Sequence, residues 1–60
     1  MRKEEAVERL KELGLDSELK DGVVMVYVSR KDYQKVKELE KTIKDIGYRA
    51  SWGIAVRDEQ

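Results

Sequence analysis

The stretch LDSELKDGVVMVYVS, residues 15–29, decides how this chain folds. It places Asp21-Gly22 between two runs of strand-forming residues, which is the strongest short signal for a β-hairpin with a type I′ turn. If the loop is those two residues alone, Leu19 faces Val24 across the hairpin. A shift of one residue would turn every side chain to the other face of the sheet. The turn therefore predicts which face is buried.

The second strand of this hairpin is apolar on both faces. Successive side chains of a strand point to opposite sides, so one side carries Val24, Val26 and Val28 and the other carries Val23, Met25 and Tyr27. The apolar residues of the first strand fall on the side of Val24. That side is predicted to be covered by helices, and the other side is predicted to be open.

Helical periodicity flanks the hairpin. Residues 2–13 form a short helix whose apolar stripe is Ala6, Val7, Leu10 and Leu13. Residues 29–47 are predicted to form a longer helix whose stripe is Tyr33, Val36, Leu39, Ile43 and Ile46. Ser29 and Asp32 have the spacing of a capping box. Gly14 and Gly47 follow the two stripes and are expected to end the helices in the left-handed conformation.

Residues 48–57 alternate as a third strand. Its helix-covered side would carry Tyr48, Ala50, Trp52, Ile54 and Val56. Its open side would carry Arg49, Ser51, Gly53, Ala55 and Arg57. A core role is expected for Trp52 and Tyr48, in preference to a ligand pocket, since large aromatic side chains dominate cores.

The order of elements is therefore αββαβ, in one small domain over residues 1–60. We predict an α+β fold, a two-layer α/β sandwich with both helices on one face of a three-stranded mixed sheet. Strands 1 and 2 form the antiparallel hairpin, and a right-handed crossover places strand 3 parallel to strand 2. In topology alone this resembles a ferredoxin-like βαββαβ chain that lacks its first strand. An alternative order leaves a slot between strands 2 and 3 for a partner's strand.

Composition excludes several chemistries. The chain has no cysteine and no histidine, so a disulfide, a thiolate nucleophile and a zinc site are not expected, and no metal or cofactor is predicted. Thirteen basic residues balance thirteen acidic ones, which argues against a nucleic-acid partner and a membrane surface. No apolar run approaches the ~18 residues of a membrane span. A soluble protein is expected, cytoplasmic if natural.

Serines and carboxylates are the remaining candidates for catalysis. Ser17, Ser29 and Ser51 have no histidine to activate them, and Ser29 is better explained as a cap. The carboxylate pairs Glu4/Glu5, Glu38/Glu40 and Asp58/Glu59 fall on surfaces expected to be solvated, where a carboxylate is a poor general acid. We therefore expect no catalytic activity.

The open side of the sheet is the candidate interaction surface, formed by Val23, Met25, Tyr27, Arg49 and Arg57. The plainest interpretation is a solvated face covered by long polar neighbours. A second is self-association, through this face or through the last strand, whose segment SWGIAV carries no charge. A third is single-stranded nucleic acid stacking on Tyr27. Against the third stand the acidic neighbours Asp16 and Glu18.

The composition also bears on origin. Proline, phenylalanine and asparagine are absent together with cysteine and histidine, while strong helix formers and β-branched residues sit where helices and strands need them. This pattern favours a thermostable de novo designed scaffold. The alternative is a thermophile-type interaction module that acts as a homodimer, and a weak nucleic-acid binder is the second alternative.

Overall fold

Two helices and three strands follow one another in the predicted order in the computed structural model, which describes residues 1–57. The elements are α1 (Lys3–Glu12), β1 (Asp16–Lys20), β2 (Val23–Ser29), a 3₁₀ segment (Arg30–Lys35), α2 (Val36–Asp45) and β3 (Trp52–Arg57). Residues 58–60, which include the expected solvated pair Asp58/Glu59, lie outside the described residues. Neither helix within residues 1–57 has the length and apolar character that crossing a bilayer requires.

The hairpin adopts the predicted turn and register. Asp21 and Gly22 both have positive φ angles, 52° and 77°, as a type I′ turn demands of its two central residues. Leu19 lies opposite Val24, and each following pair down to Asp16 keeps the same register. The Lys3 side chain of α1 also donates a hydrogen bond to the Gly22 carbonyl.

The sheet has the order β1-β2-β3, with β1 and β2 antiparallel and β2 and β3 parallel. The predicted mixed sheet is thus confirmed. Val24 pairs directly with Trp52 and Val26 with Ile54. The alternative with a slot between these strands is therefore wrong, because β3 itself fills that position.

Both helices contribute to one core on one side of the sheet. Val24 and Val26, at the centre of β2, are fully buried. The other buried apolar side chains are Ala6, Val7 and Leu10 of α1, Leu39 and Ile43 of α2, and Tyr48. Ser17 is buried with them, and its Oγ donates a hydrogen bond of 3.2 Å to the Val7 carbonyl. Trp52 and Ile54 are half-buried against this core, on the predicted side.

The long helix expected over 29–47 is divided. Residues Arg30–Lys35 form a 3₁₀ segment, and the α-helix begins only at Val36. The capping box is also wrong, since the Ser29 Oγ bonds the Asp32 side chain at 3.0 Å and makes no bond to a backbone amide. A 3₁₀ helix rises about 2.0 Å per residue against about 1.5 Å for an α-helix. Tyr33 lies within this segment, none of whose residues is buried, and is 56% exposed.

The third strand is shorter than expected because the end of α2 determines the conformation that follows it. Gly47 has a φ of 94°, and the amides of Gly47 and Tyr48 donate to the carbonyls of Lys44 and Ile43, as in a Schellman motif. This turn carries Tyr48 into the core before any strand begins, and its hydroxyl donates to the Ser51 carbonyl at 3.2 Å. Gly14 ends α1 in the same way, so both predicted glycine caps are confirmed.

Some apolar side chains that the periodicity assigns to the core are exposed instead. Leu13 is 56% exposed because α1 ends at Glu12. Leu19 is 41% exposed, since the turn of α1 near the hairpin loop supplies charged rather than apolar residues. Val56 is 43% exposed at the far end of β3, where the 3₁₀ segment replaces the expected α-helix.

The positive φ of Gly22 predicts that Gly22→Ala destabilises the fold by about 1–2 kcal/mol, the cost of a left-handed residue that carries a Cβ. Space is not the cause, because the added Cβ would meet only the Lys3 Nζ at 3.8 Å. The free energy of unfolding from urea titration measures the effect. Lys20→Ala, at an exposed position beside the same turn, is the control. Equal stability of Gly22→Ala and wild type would contradict the turn geometry.

Candidate interaction surface on the open sheet face

The side of the sheet turned away from the helices is formed by all three strands. We call it the open face; its residues are Asp16, Glu18 and Lys20 of β1, Val23, Met25 and Tyr27 of β2, and Gly53, Ala55 and Arg57 of β3. Met25 and Tyr27 are half-buried, while Val23 is 37% exposed. The apolar strip on β2 is therefore partly covered by its neighbours.

Glu18 and Arg57 contact Tyr27, and Asp16 contacts Arg57. The Tyr27 hydroxyl donates a hydrogen bond to the Glu18 carboxylate. The Arg57 guanidinium lies over the ring, with its Cζ 3.8 Å from the ring centroid. The Arg57 Nη1 also donates to the Asp16 Oδ2 at 2.7 Å. We call Asp16, Glu18, Tyr27 and Arg57 the tyrosine cluster; it joins the three strands across the open face.

The contacts of the tyrosine cluster contribute little to the stability of the fold. The side chains of Arg57 and Asp16 are 55% and 57% exposed, and ion pairs as wet as this contribute at most about 1 kcal/mol. A cation above an exposed ring contributes a similar amount, about 0.5–1 kcal/mol. The structural effect is that one side of the Tyr27 ring is already occupied by a guanidinium.

The same contacts alter the acidity of the phenol. The hydrogen bond to Glu18 raises the pKa of Tyr27 above its ordinary value, because the phenol must give up that bond to ionise. Desolvation and the negative charge of Glu18 act in the same direction, and Arg57 opposes them. The carboxylate therefore dominates the electrostatics of this phenol.

The Met25 side chain occupies the space beside Gly53 of β3. Met25 and Gly53 are direct partners across the parallel strands. A Cβ built at Gly53 would lie 2.8 Å from the Met25 Sδ, closer than two such atoms can approach. The methionine thus lies across β3 where the glycine leaves room. An isolated glycine within a strand indicates a bulge or a close approach, and the group that approaches Gly53 is the Met25 side chain.

Arg49 does not join the other candidate residues. It lies in the connection between α2 and β3, where it lines an open hollow together with Glu40 and Lys44 of α2. The expectation that Arg49 flanks Tyr27 on the last strand is corrected, because the turn at Gly47 delays the start of β3. Val23, Met25, Tyr27 and Arg57 are brought together as expected.

The serines and carboxylates considered for catalysis occupy structural or exposed positions. Ser17 bonds α1 from within the core, and Ser29 bonds Asp32. Glu4, Glu5, Glu38 and Glu40 are all exposed, while the pair Asp58/Glu59 lies outside the described residues. No group of three or more potential metal ligands is found among residues 1–57.

Comparisons of the chain with protein-family models, with curated proteins and with solved structures return no match. What the chain does must follow from its own residues and their geometry.

The hydrogen bond between Tyr27 and Glu18 can be tested by titration. Glu18→Gln removes the negative acceptor, so we expect the pKa of Tyr27 to fall toward the ordinary tyrosine value of about 10. Absorbance of the phenolate measures this, with Tyr27→Phe to assign the signal and Glu38→Gln, an exposed change on α2, as the control. A titration that Glu18→Gln leaves unchanged would contradict the contact.

The raised pKa also sets the sign of the pH dependence. The folded chain holds the Tyr27 proton more tightly than the unfolded chain does. The contribution of this group to stability is therefore complete below the ordinary pKa of about 10 and is lost as the pH rises through the folded-state pKa.

Proposed function

We propose that this chain is a non-catalytic α/β scaffold domain, of the designed rather than the natural type. Its open face is then a solvated structural surface and not a binding platform. The observation that carries the proposal is the tyrosine cluster: the half-buried aromatic ring that the central strand β2 places on the open face is covered by Arg57 and bonded by Glu18.

A stacking platform for nucleic acid needs free aromatic faces and positive charge. In this chain Arg57 occupies one side of the Tyr27 ring and is itself bound to Asp16. Two carboxylates accompany this one guanidinium, so the tyrosine cluster would repel a phosphate backbone. Arg49, the second cation that would support such binding, lies on the α2 side.

Catalysis is disfavoured by what each candidate group contacts. The Ser17 hydroxyl uses its proton in a buried bond to α1. A general acid or base needs an environment that shifts its pKa toward the working pH, and the paired glutamates of the two helices lie exposed to water. Together with the absence of histidine and cysteine from the sequence, this supports a domain that carries out no reaction.

The designed type is supported by agreement among local signals. Turn chemistry, the two glycine caps and the alternation of β1 all specify the same fold, as a sequence chosen for one structure would. The alternative of a thermophile-type module acting as a homodimer is favoured by one observation: the outer strand β3 carries no charge from Trp52 to Val56.

We expect no binding of single-stranded oligonucleotides. A fluorescein-labelled oligo-dT and an oligo-U at low salt should show no saturable change in anisotropy up to about 0.5 mM protein, beyond the roughly 1–100 µM range of ordinary non-specific binding. Tyr27→Ala serves as the matched variant. Salt-sensitive micromolar binding by the wild type that Tyr27→Ala abolishes would overturn the proposal in favour of a nucleic-acid binder.

A designed scaffold of this type is also expected to be thermostable. Circular dichroism at 222 nm should show reversible unfolding with a midpoint above about 65 °C, the upper range of ordinary mesophile domains. Melts at several protein concentrations separate the stability of the single chain from any gain by association. An irreversible melt, or a midpoint below that range, would count against the proposal.

A further inference from the structure

The outer edge of β3 presents an incomplete hydrogen-bonding ladder. In the order β1-β2-β3, β3 pairs with β2 on one side and with no other strand of residues 1–57 on the other. An edge strand carries a row of unpaired N–H and C=O groups, whose natural partner is another extended strand. The unpaired backbone groups of this edge therefore favour an extended strand as a partner over a helix or a small molecule.

The two edges of the sheet differ in how they are protected. β1 alternates charged side chains, Asp16, Glu18 and Lys20, a pattern that discourages strand addition. From Trp52 to Val56, β3 carries no charge. Its one charged residue, Arg57, reaches inward across β2 to Asp16 and so does not guard the outer edge.

We propose that a second copy of this chain pairs with β3 in antiparallel orientation, about a two-fold axis that passes midway between the two Ile54 residues. Residues opposite each other in such a pair lie on the same face of the sheet. Ile54 then faces its own copy, and Trp52 faces Val56 of the second copy. The result is a continuous six-stranded sheet with all four helices on one side.

This register covers the apolar surface that the single chain leaves exposed. Val56 is 43% exposed, and Trp52 is half-buried at the other end of the same strand. In the proposed register, Trp52 of each copy faces Val56 of the other copy, so this contact forms twice. On the open face it sets Gly53 against Ala55, which are small enough not to clash. A two-fold axis midway between the two Ala55 residues would instead set Ile54 opposite Val56. Trp52, the largest side chain of the strand, would then no longer face Val56 of the second copy.

The proposed pairing joins two copies and leaves no free β3 edge for a third. An isologous contact uses the β3 edge of both copies, and the strands then outermost are the two charged β1 strands. Growth into a fibre is thereby disfavoured. The strand has only six residues, so the contact falls at the small end of specific interfaces, and we expect a dissociation constant of roughly 10–1000 µM.

The dimer does not depend on the proposed function, since a monomeric scaffold would still carry out no reaction and bind no oligonucleotide. Sedimentation equilibrium of the full chain between about 10 µM and about 1 mM, the range set by the expected affinity, tests it directly. The weight-average mass should rise with protein concentration from that of one chain toward that of two. A strictly monomeric chain over this range overturns the proposal.

Matched variants locate the contact. Val56→Glu places a carboxylate against Trp52 of the second copy and should weaken the dimer by at least about 10-fold, the cost of an unpaired charge in an apolar contact. Val23→Glu changes a valine of similar exposure, 37% against 43%, on the open face, and should change the dimer by less than about two-fold. The reverse ranking would place the contact on the open face and overturn the β3 register.

The wild type provides a readout that needs no variant. Trp52 is the only tryptophan in the chain, and its covering by Val56 should shift the indole emission to shorter wavelength as the concentration rises. Amide chemical shifts of residues 52–57 should move over the same range. If these shifts stay fixed while those of 23–27 move, the β3 dimer is refuted even if Val56→Glu fails to fold.

Discussion

The left-handed conformation of Asp21 and Gly22 is the constraint on which the rest of the structure depends. A two-residue type I′ loop permits only one register between β1 and β2. That register puts Val24 and Val26 on the helix side and Tyr27 on the open side. The composition of the core and of the tyrosine cluster follows from this register. Once β3 pairs with β2, its side chains also divide between the two faces: Trp52 and Ile54 lie on the helix side, and Gly53 and Ala55 lie on the open side.

Much of the fold could be predicted from the sequence because its strongest signals are local. The Asp-Gly turn and the glycines after each helix act within a few residues. The 3₁₀ segment could not be predicted in this way. Its apolar spacing, Tyr33 followed by Val36, is compatible with an α-helix, and only the path from the end of β2 to the start of α2 distinguishes the two. Tyr33 lies within this segment and is exposed, although its spacing fits a core position.

The candidate site was predictable in part. Alternation alone places Met25, Tyr27 and Arg57 on the open face, and the structure agrees. The position of Arg49 does not follow from alternation, because Arg49 precedes the start of β3 at Trp52 and lies directly after the turn that buries Tyr48. The reach of Arg57 to Asp16 spans three strands. Contacts of that kind depend on the positions of side chains across the sheet, which the periodicity of one strand does not encode.

The parallel pairing of β2 and β3 has a consequence for the order in which the chain folds. The hairpin closes over two residues and can form within microseconds, but β3 can pair only after the whole crossover, 30–51, has been traversed. Loop-closure entropy therefore favours β3 as the last strand to dock. Each partial opening would release the Met25 thioether from Gly53 and expose the β2 edge, so the species most prone to misassembly is a hairpin that still lacks its third strand.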